Sequence, residues 1–199
     1  SNRTGAKAAA LVSVGLRVAG SPREAAAAGE VVLSMVTNSD ALLQIAHGPD
    51  GILAGLRRGA VWADMSTVSP AVTRALGAEV AAAGGAFLDA PVSGSAVTVE
   101  QGKLAFFVGG DAAALERVRP FLLSIGASIT PMGLLGLAVT MKVAINLGIG
   151  VQLAAFSESV LLAEKAGIPR ARAVEALPNP AHEALAAVQA LAAGDAAET

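Results

Sequence analysis

Short β-branched runs alternate with capped helical stretches from residue 31 to residue 132, and this alternation restricts the chain to a layered α/β fold. VVLSMV (31–36), AVWADMS (60–66), KLAFFVGG (103–110) and ASITPM (127–132) read as strands, and AFLDAPVSG (86–94) as a strand followed by a loop. Between them the helix starts carry their own signals. Ser21-Pro22 with Glu24, Ser69-Pro70 and Asp111 each supply a side-chain acceptor for the free N–H groups of a first turn, and a further helix is expected from about Asn38 to His47. Strands separated by helices of this size predict βαβ units and a parallel sheet.

After Gly133 the pattern changes. Residues 134–166 contain no proline and no turn cluster, and read as one helix of roughly 50 Å. Its first 23 positions, LLGLAVTMKVAINLGIGVQLAAF, carry Lys142 as their one formal charge. The run is long enough to span a bilayer, but Lys142, Asn146 and Gln152 would then lie in hydrocarbon without aromatic belts at either end. A buried helix linking two domains or two chains is the expectation, with no membrane. GIPRAR (167–172) breaks the helix, ARAVEAL starts another, and the Ala-rich tail after Pro178 shows no clear boundary. The domain reading is 1–132 for the sheet domain and 133–199 for the helical part.

Composition removes several function classes. A net charge of −2 argues against nucleic acid, and zero cysteines exclude disulfides and thiolate chemistry. Two isolated histidines, His47 and His182, argue against a histidine metal site, so no metal is expected. No secretory h-region opens the chain, and a cytoplasmic location is expected.

Three segments carry candidate chemistry. DMSTVSP (64–70) puts Ser66 and Thr67 after a strand, at the edge where a parallel sheet binds ligands; ordinary loop hydroxyls would look the same. DAPVSGS (89–95) places Ser93, Gly94 and Ser95 in the same setting, suited to an anion such as a carboxylate or to a plain Gly-Ser turn. Lys142 and Asn146 share one helical face among apolar neighbours, where burial lowers a lysine's pKa towards the range of a general acid or base. The alternative there is a lysine emerging at a helix surface.

Taken in order, NRT, VVLSMV, DMSTVSP, FLDAPVSGS, GKLAFFVGGD and a K-x-x-x-N on a long helix resemble the β-hydroxyacid dehydrogenase family, which includes 3-hydroxyisobutyrate dehydrogenase and tartronate semialdehyde reductase. The resemblance runs from about residue 1 to residue 177. It implies a Rossmann-like domain, a long interdomain helix and an all-α domain. It makes Lys142 the acid/base and Asn146 its neighbour orienting substrate. Ser93 and Gly94 would bind the substrate carboxylate, with Ser66 contributing. Met35, Val36 and Thr67 would contact the dinucleotide. Asn2, Arg3 and Thr4 would lie near the adenosine ribose, where Arg3 and Thr4 suit a 2′-phosphate, favouring NADP with NAD as the alternative. A homo-oligomer through the long helix is also implied.

The chain departs from that family at both ends. No GxGxxG occurs, so the first βα unit with its phosphate turn is expected to be missing, and the helical domain stops early. The competing reading is therefore a non-catalytic remnant that binds dinucleotide poorly. An imine reductase-like relative is a third, which Lys142 argues against.

Overall fold

The computed structural model describes residues 12, 13 and 15–177, and the chain divides into two compact units, Ser1–Thr140 and Met141–Thr199. Asn2, Arg3 and Thr4 lie outside the described residues.

In the first unit the elements follow in the order α1 (Pro22–Ala27), β1 (Val31–Ser34), α2 (Ser39–Ala46), α3 (Ile52–Gly55), β2 (Val61–Asp64) and α4 (Pro70–Ala82). Then come β3 (Ala86–Asp89), β4 (Val92–Ser93), α5 (Ala96–Glu100), β5 (Leu104–Gly109), α6 (Ala112–Leu123) and β6 (Gly126–Gly133). The helix starts fall where the sequence predicts. Ser21 accepts from Glu24 N–H at 3.1 Å, Asn38 from Ala41 N–H at 2.9 Å, and Asp111 from Ala114 N–H at 2.8 Å. Glu24 reaches back to the Gly20 N–H at 2.7 Å, closing the first turn from the other side.

β1, β2 and β3 are parallel neighbours, and β5 and β6 form a second parallel pair. The two groups run in opposite directions, because β5 meets β3 and β4 antiparallel. The sheet is thus mixed. The return from β4 to β5 passes through the short α5 rather than a full crossover helix, and a reversal of this kind favours antiparallel pairing.

Alternation along the strands feeds two cores. Trp62 and Phe87 point to one face, packing edge to face with ring centroids 5.1 Å apart among Leu42, Ile52, Leu76 and Val80. Val61, Ala63 and Leu88 point to the other, against Leu115, Val118 and Leu122 of α6. Every residue of β2 is buried, as expected for a strand covered on both faces.

The long helix α7 (Leu137–Lys165) has 29 residues and crosses the boundary between the units. At its start Ala138 and Val139 are fully buried, and Val139 joins the core around Trp62. Beyond that start the expected buried helix is not found: of its hydrophobic residues there only Val160 is buried, and Val143, Leu147, Val151, Leu153, Leu161 and Leu162 are exposed. By length and composition alone α7 could cross a membrane. An apolar run shows that a helix is to be covered, not what covers it. In the second unit α8 (Arg170–Ala176) follows a turn at Gly167. An ion pair joins Arg170 to Glu164 at 2.8 Å, and an open groove is lined by Phe156, Val160, Leu161 and Val174.

Candidate dinucleotide and substrate site

β1, β2 and β3 end in register, so that Ser34, Asp64 and Asp89 sit side by side at the carboxyl edge of the parallel strands. All three are buried, and Asp64 and Asp89 are each only 2% exposed. A buried carboxylate is costly unless hydrogen bonds replace water. Each aspartate solves this differently.

Asp64 accepts two hydroxyl groups on one oxygen. Ser34 Oγ donates to its Oδ1 at 2.6 Å and Ser66 Oγ at 2.8 Å. Trp62 Nε1 donates to Ser34 Oγ at 2.8 Å, and the Val36 N–H donates to Ser66 Oγ at 2.8 Å. Burial pushes the Asp64 carboxyl above the ordinary carboxylate range; the two serines oppose that rise, and the charge of Asp89 adds to it. In the fold Asp64 therefore holds a proton more readily than in the unfolded chain. Stability from this group is full below the unfolded value of 3.8 and is lost as pH rises through the folded value. We expect the wild type to gain stability relative to Asp64→Asn as pH falls towards that range, in paired thermal melts across the acid region.

Asp89 is spent on α7. Its Oδ1 accepts from the Gly136 N–H at 2.9 Å and its Oδ2 from the Val139 N–H at 2.8 Å. The helix has no Ser, Thr, Asn or Asp at its own start, and the cap is delivered from the end of β3 instead. Two glycines permit this. A Cβ on Gly109 would lie 2.4 Å from Asp89 Oδ1, and Gly136 adopts φ +90° with Arg74 Nη1 2.9 Å from where its Cβ would be. Gly109→Ala is expected to lower the melting temperature by several degrees, since Asp89 has no room to retreat.

The loop after Asp89 holds Ser93 and Gly94, the residues expected to meet a substrate carboxylate. Ser93 is 8% exposed, and its hydroxyl has no hydrogen-bond partner among the described residues. Gly94 has φ +145°, with Leu104 Cδ2 and Thr98 Oγ1 within 2.8 Å of a would-be Cβ, so a side chain is excluded there. The Ser95 N–H is taken by Thr98 Oγ1.

Ser66 sits where predicted but serves another bond. Its one hydrogen goes to Asp64, so it has none to donate to a substrate carboxylate. Met35 is 64% exposed at the end of β1, while Val36 and Thr67 are half-buried on either side of Ser66. In the second unit Lys142 is half-buried one turn beyond Val139, and Asn146 is exposed one turn further on. Burial holds the Lys142 ammonium below the usual lysine value of 10.5, and no carboxylate pairs with it among the described residues. Asp64 and Asp89 were not singled out from sequence. The signal that could have found them is an aspartate closing each of two otherwise apolar strands, VWAD and AFLD.

Residues 1–133 match the profile of the NAD binding domain of 6-phosphogluconate dehydrogenase. The chain belongs to that family. A curated relative, glyoxylate/succinic semialdehyde reductase 2 of Arabidopsis thaliana, is 34% identical over 167 residues, 84% of this chain and 47% of the relative. The crystal structure of 3-hydroxyisobutyrate dehydrogenase from Salmonella typhimurium superposes with a TM-score of 0.77 at 30% identity, covering 85% of this chain and 60% of that one. A protein solved in complex with NADP+ and 2-OPP gives a TM-score of 0.78 at 28% identity, over 85% of this chain and 60% of that one. The β-hydroxyacid dehydrogenase resemblance read from the motifs is borne out by these relatives. The chain spans about half the length of the curated relatives it matches.

Proposed function

We propose that this chain is the dinucleotide-binding and catalytic-helix portion of an NAD(P)-dependent oxidoreductase acting on a small 3-hydroxy acid or its semialdehyde. The observation that carries the proposal is Lys142: a half-buried lysine without a carboxylate partner, lowered in pKa, in the K-x-x-x-N segment that follows the DAPVSGS loop. A structural lysine would be paired or fully solvated. Desolvation instead makes this ammonium a better acid, and its amine is available at lower pH.

The carboxyl edge of β1 and β2 fits a dinucleotide: Met35 offers an exposed apolar surface, and the turns at Val36 and Thr67 are tied together. When bound, the nicotinamide supplies or accepts a hydride. Lys142 gives its proton to the carbonyl oxygen during reduction and takes the alcohol proton during oxidation. Asn146 orients the substrate, and the Ser93 hydroxyl with the Gly94 N–H holds its carboxylate. Arg3 and Thr4 recognise the 2′-phosphate, with Asn2 beside them, favouring NADP over NAD. The exposed apolar face of α7 is covered by a second copy of the chain.

The test is a fluorescence titration with NADPH and NADH. Arg3→Ala is expected to weaken NADPH binding by roughly tenfold while leaving NADH unchanged. Equal loss for both cofactors removes the 2′-phosphate role. No binding of either by the folded wild type favours the second reading, a remnant that retains the substrate loop without the cofactor site.

A further inference from the structure

The Ser66 hydroxyl stands at the centre of a network in which every hydrogen has one place to go. Trp62 Nε1 and the Val36 amide can only donate. The hydroxyls that accept from them, Ser34 and Ser66, must therefore turn their own hydrogens away, and both reach Asp64 Oδ1. The carboxylate thus fixes the orientation of each hydroxyl. Ser34 uses that orientation to hold the Trp62 indole inside the core. Ser66 uses it to hold the backbone of a turn 30 residues away in the chain.

That turn matters because of what it joins. Val36 follows the exposed Met35 at the end of β1, and Thr67 follows Ser66 at the end of β2. The starts of the following helices are linked as well, through the Ser69 N–H and Ser39 Oγ at 3.1 Å. A backbone turn at the edge of a sheet ordinarily keeps several conformations, and a ligand that needs one of them loses affinity in proportion to its population. Here a buried, fully oriented acceptor selects one.

From this we infer that Ser66, oriented by Asp64, is a positioning residue for the dinucleotide, locking the β1 turn at Met35 and Val36 against the β2 turn at Thr67. The inference rests on the dinucleotide reading above. Ser66 touches no ligand in this role. It sets the shape of the surface that does, which is why a hydroxyl-bearing rather than an apolar residue follows Met65 at a position only 2% exposed.

Ser34 provides the control, since it loads the same carboxylate oxygen without contacting the turn. NADPH is titrated into the wild type, Ser66→Ala and Ser34→Ala, with thermal melts and amide exchange of the unliganded proteins alongside. Both variants are expected to melt several degrees lower. Only Ser66→Ala is expected to weaken NADPH binding, by about tenfold, and to speed exchange of the Val36 amide. Ser66→Thr and Ser66→Val repeat the comparison at equal volume. Threonine should keep near wild-type affinity and valine should lose it. Unchanged affinity in Ser66→Ala, or losses in both alanine variants that merely track their melting temperatures, overturns the positioning role and leaves the dinucleotide reading standing. A folded wild type that binds no NADPH overturns both.

Discussion

Asp89→Ala is expected to lower the stability of the sheet unit by about 3 kcal/mol in urea denaturation. The substitution strips the caps from two N–H groups at the start of α7, Gly136 and Val139, in a place with almost no water. Hydrogen bonds to a charged acceptor are worth more than neutral ones, and buried donors left unpaired add their own cost. Asp89→Asn falls between. One amide oxygen still accepts, but the –NH2 group is turned against the other N–H. A loss below about 0.5 kcal/mol in Asp89→Ala, the range of an ordinary surface substitution, would mean that water satisfies the helix start unaided.

Lys142→Ala is expected to lower turnover by about a thousandfold while leaving NADPH affinity near that of the wild type. The separation follows from what the residue is assigned to do, which is to move a proton rather than to hold the dinucleotide. Lys142→Arg does not rescue, because a guanidinium keeps its proton throughout the working pH range. The pH dependence carries a sign. With the Lys142 ammonium as the proposed acid in reduction, reduction is expected to decline as pH rises through its lowered pKa, and oxidation to rise over the same interval. Both limbs fall below the ordinary lysine range. A profile of kcat against pH that is flat until that range is reached contradicts the assignment.

What the sequence revealed follows the range of the interactions involved. α1, α4 and α6 begin where a residue next to the helix caps it, and Ser21, Ser69 and Asp111 made those starts readable. The start of α7 carries no such residue, because its cap comes from Asp89, 47 and 50 positions away. The direction of β5 was hidden for the same reason: pairing with β3 is a non-local fact, and the apolar run KLAFFVGG reads the same either way. Local pattern also misjudged how α7 is covered, since composition reports the need for burial and not the partner.

The candidate site divides similarly. Lys142 was legible as a lone charge in an apolar helix, and DAPVSGS as a small-residue loop after a strand. The reach of Ser66 was not, since its hydroxyl is committed to Asp64 and to an amide from another strand. The two aspartates, which organise the edge of the sheet, look from sequence like the ordinary polar ends of strands. Long-range hydrogen bonds to buried carboxylates leave no periodicity behind.

Hydride transfer to or from a small hydroxy acid, with Lys142 as the acid/base, is the chemistry proposed for this chain. Its most direct test is to follow NADPH consumption by the purified chain in the presence of small carboxylate-bearing semialdehydes. Consumption is expected to saturate, to be matched by formation of the hydroxy acid, and to be lost in Lys142→Ala. Saturable NADPH binding without consumption for every semialdehyde tried would contradict it, and would leave a dinucleotide-binding domain that does no chemistry.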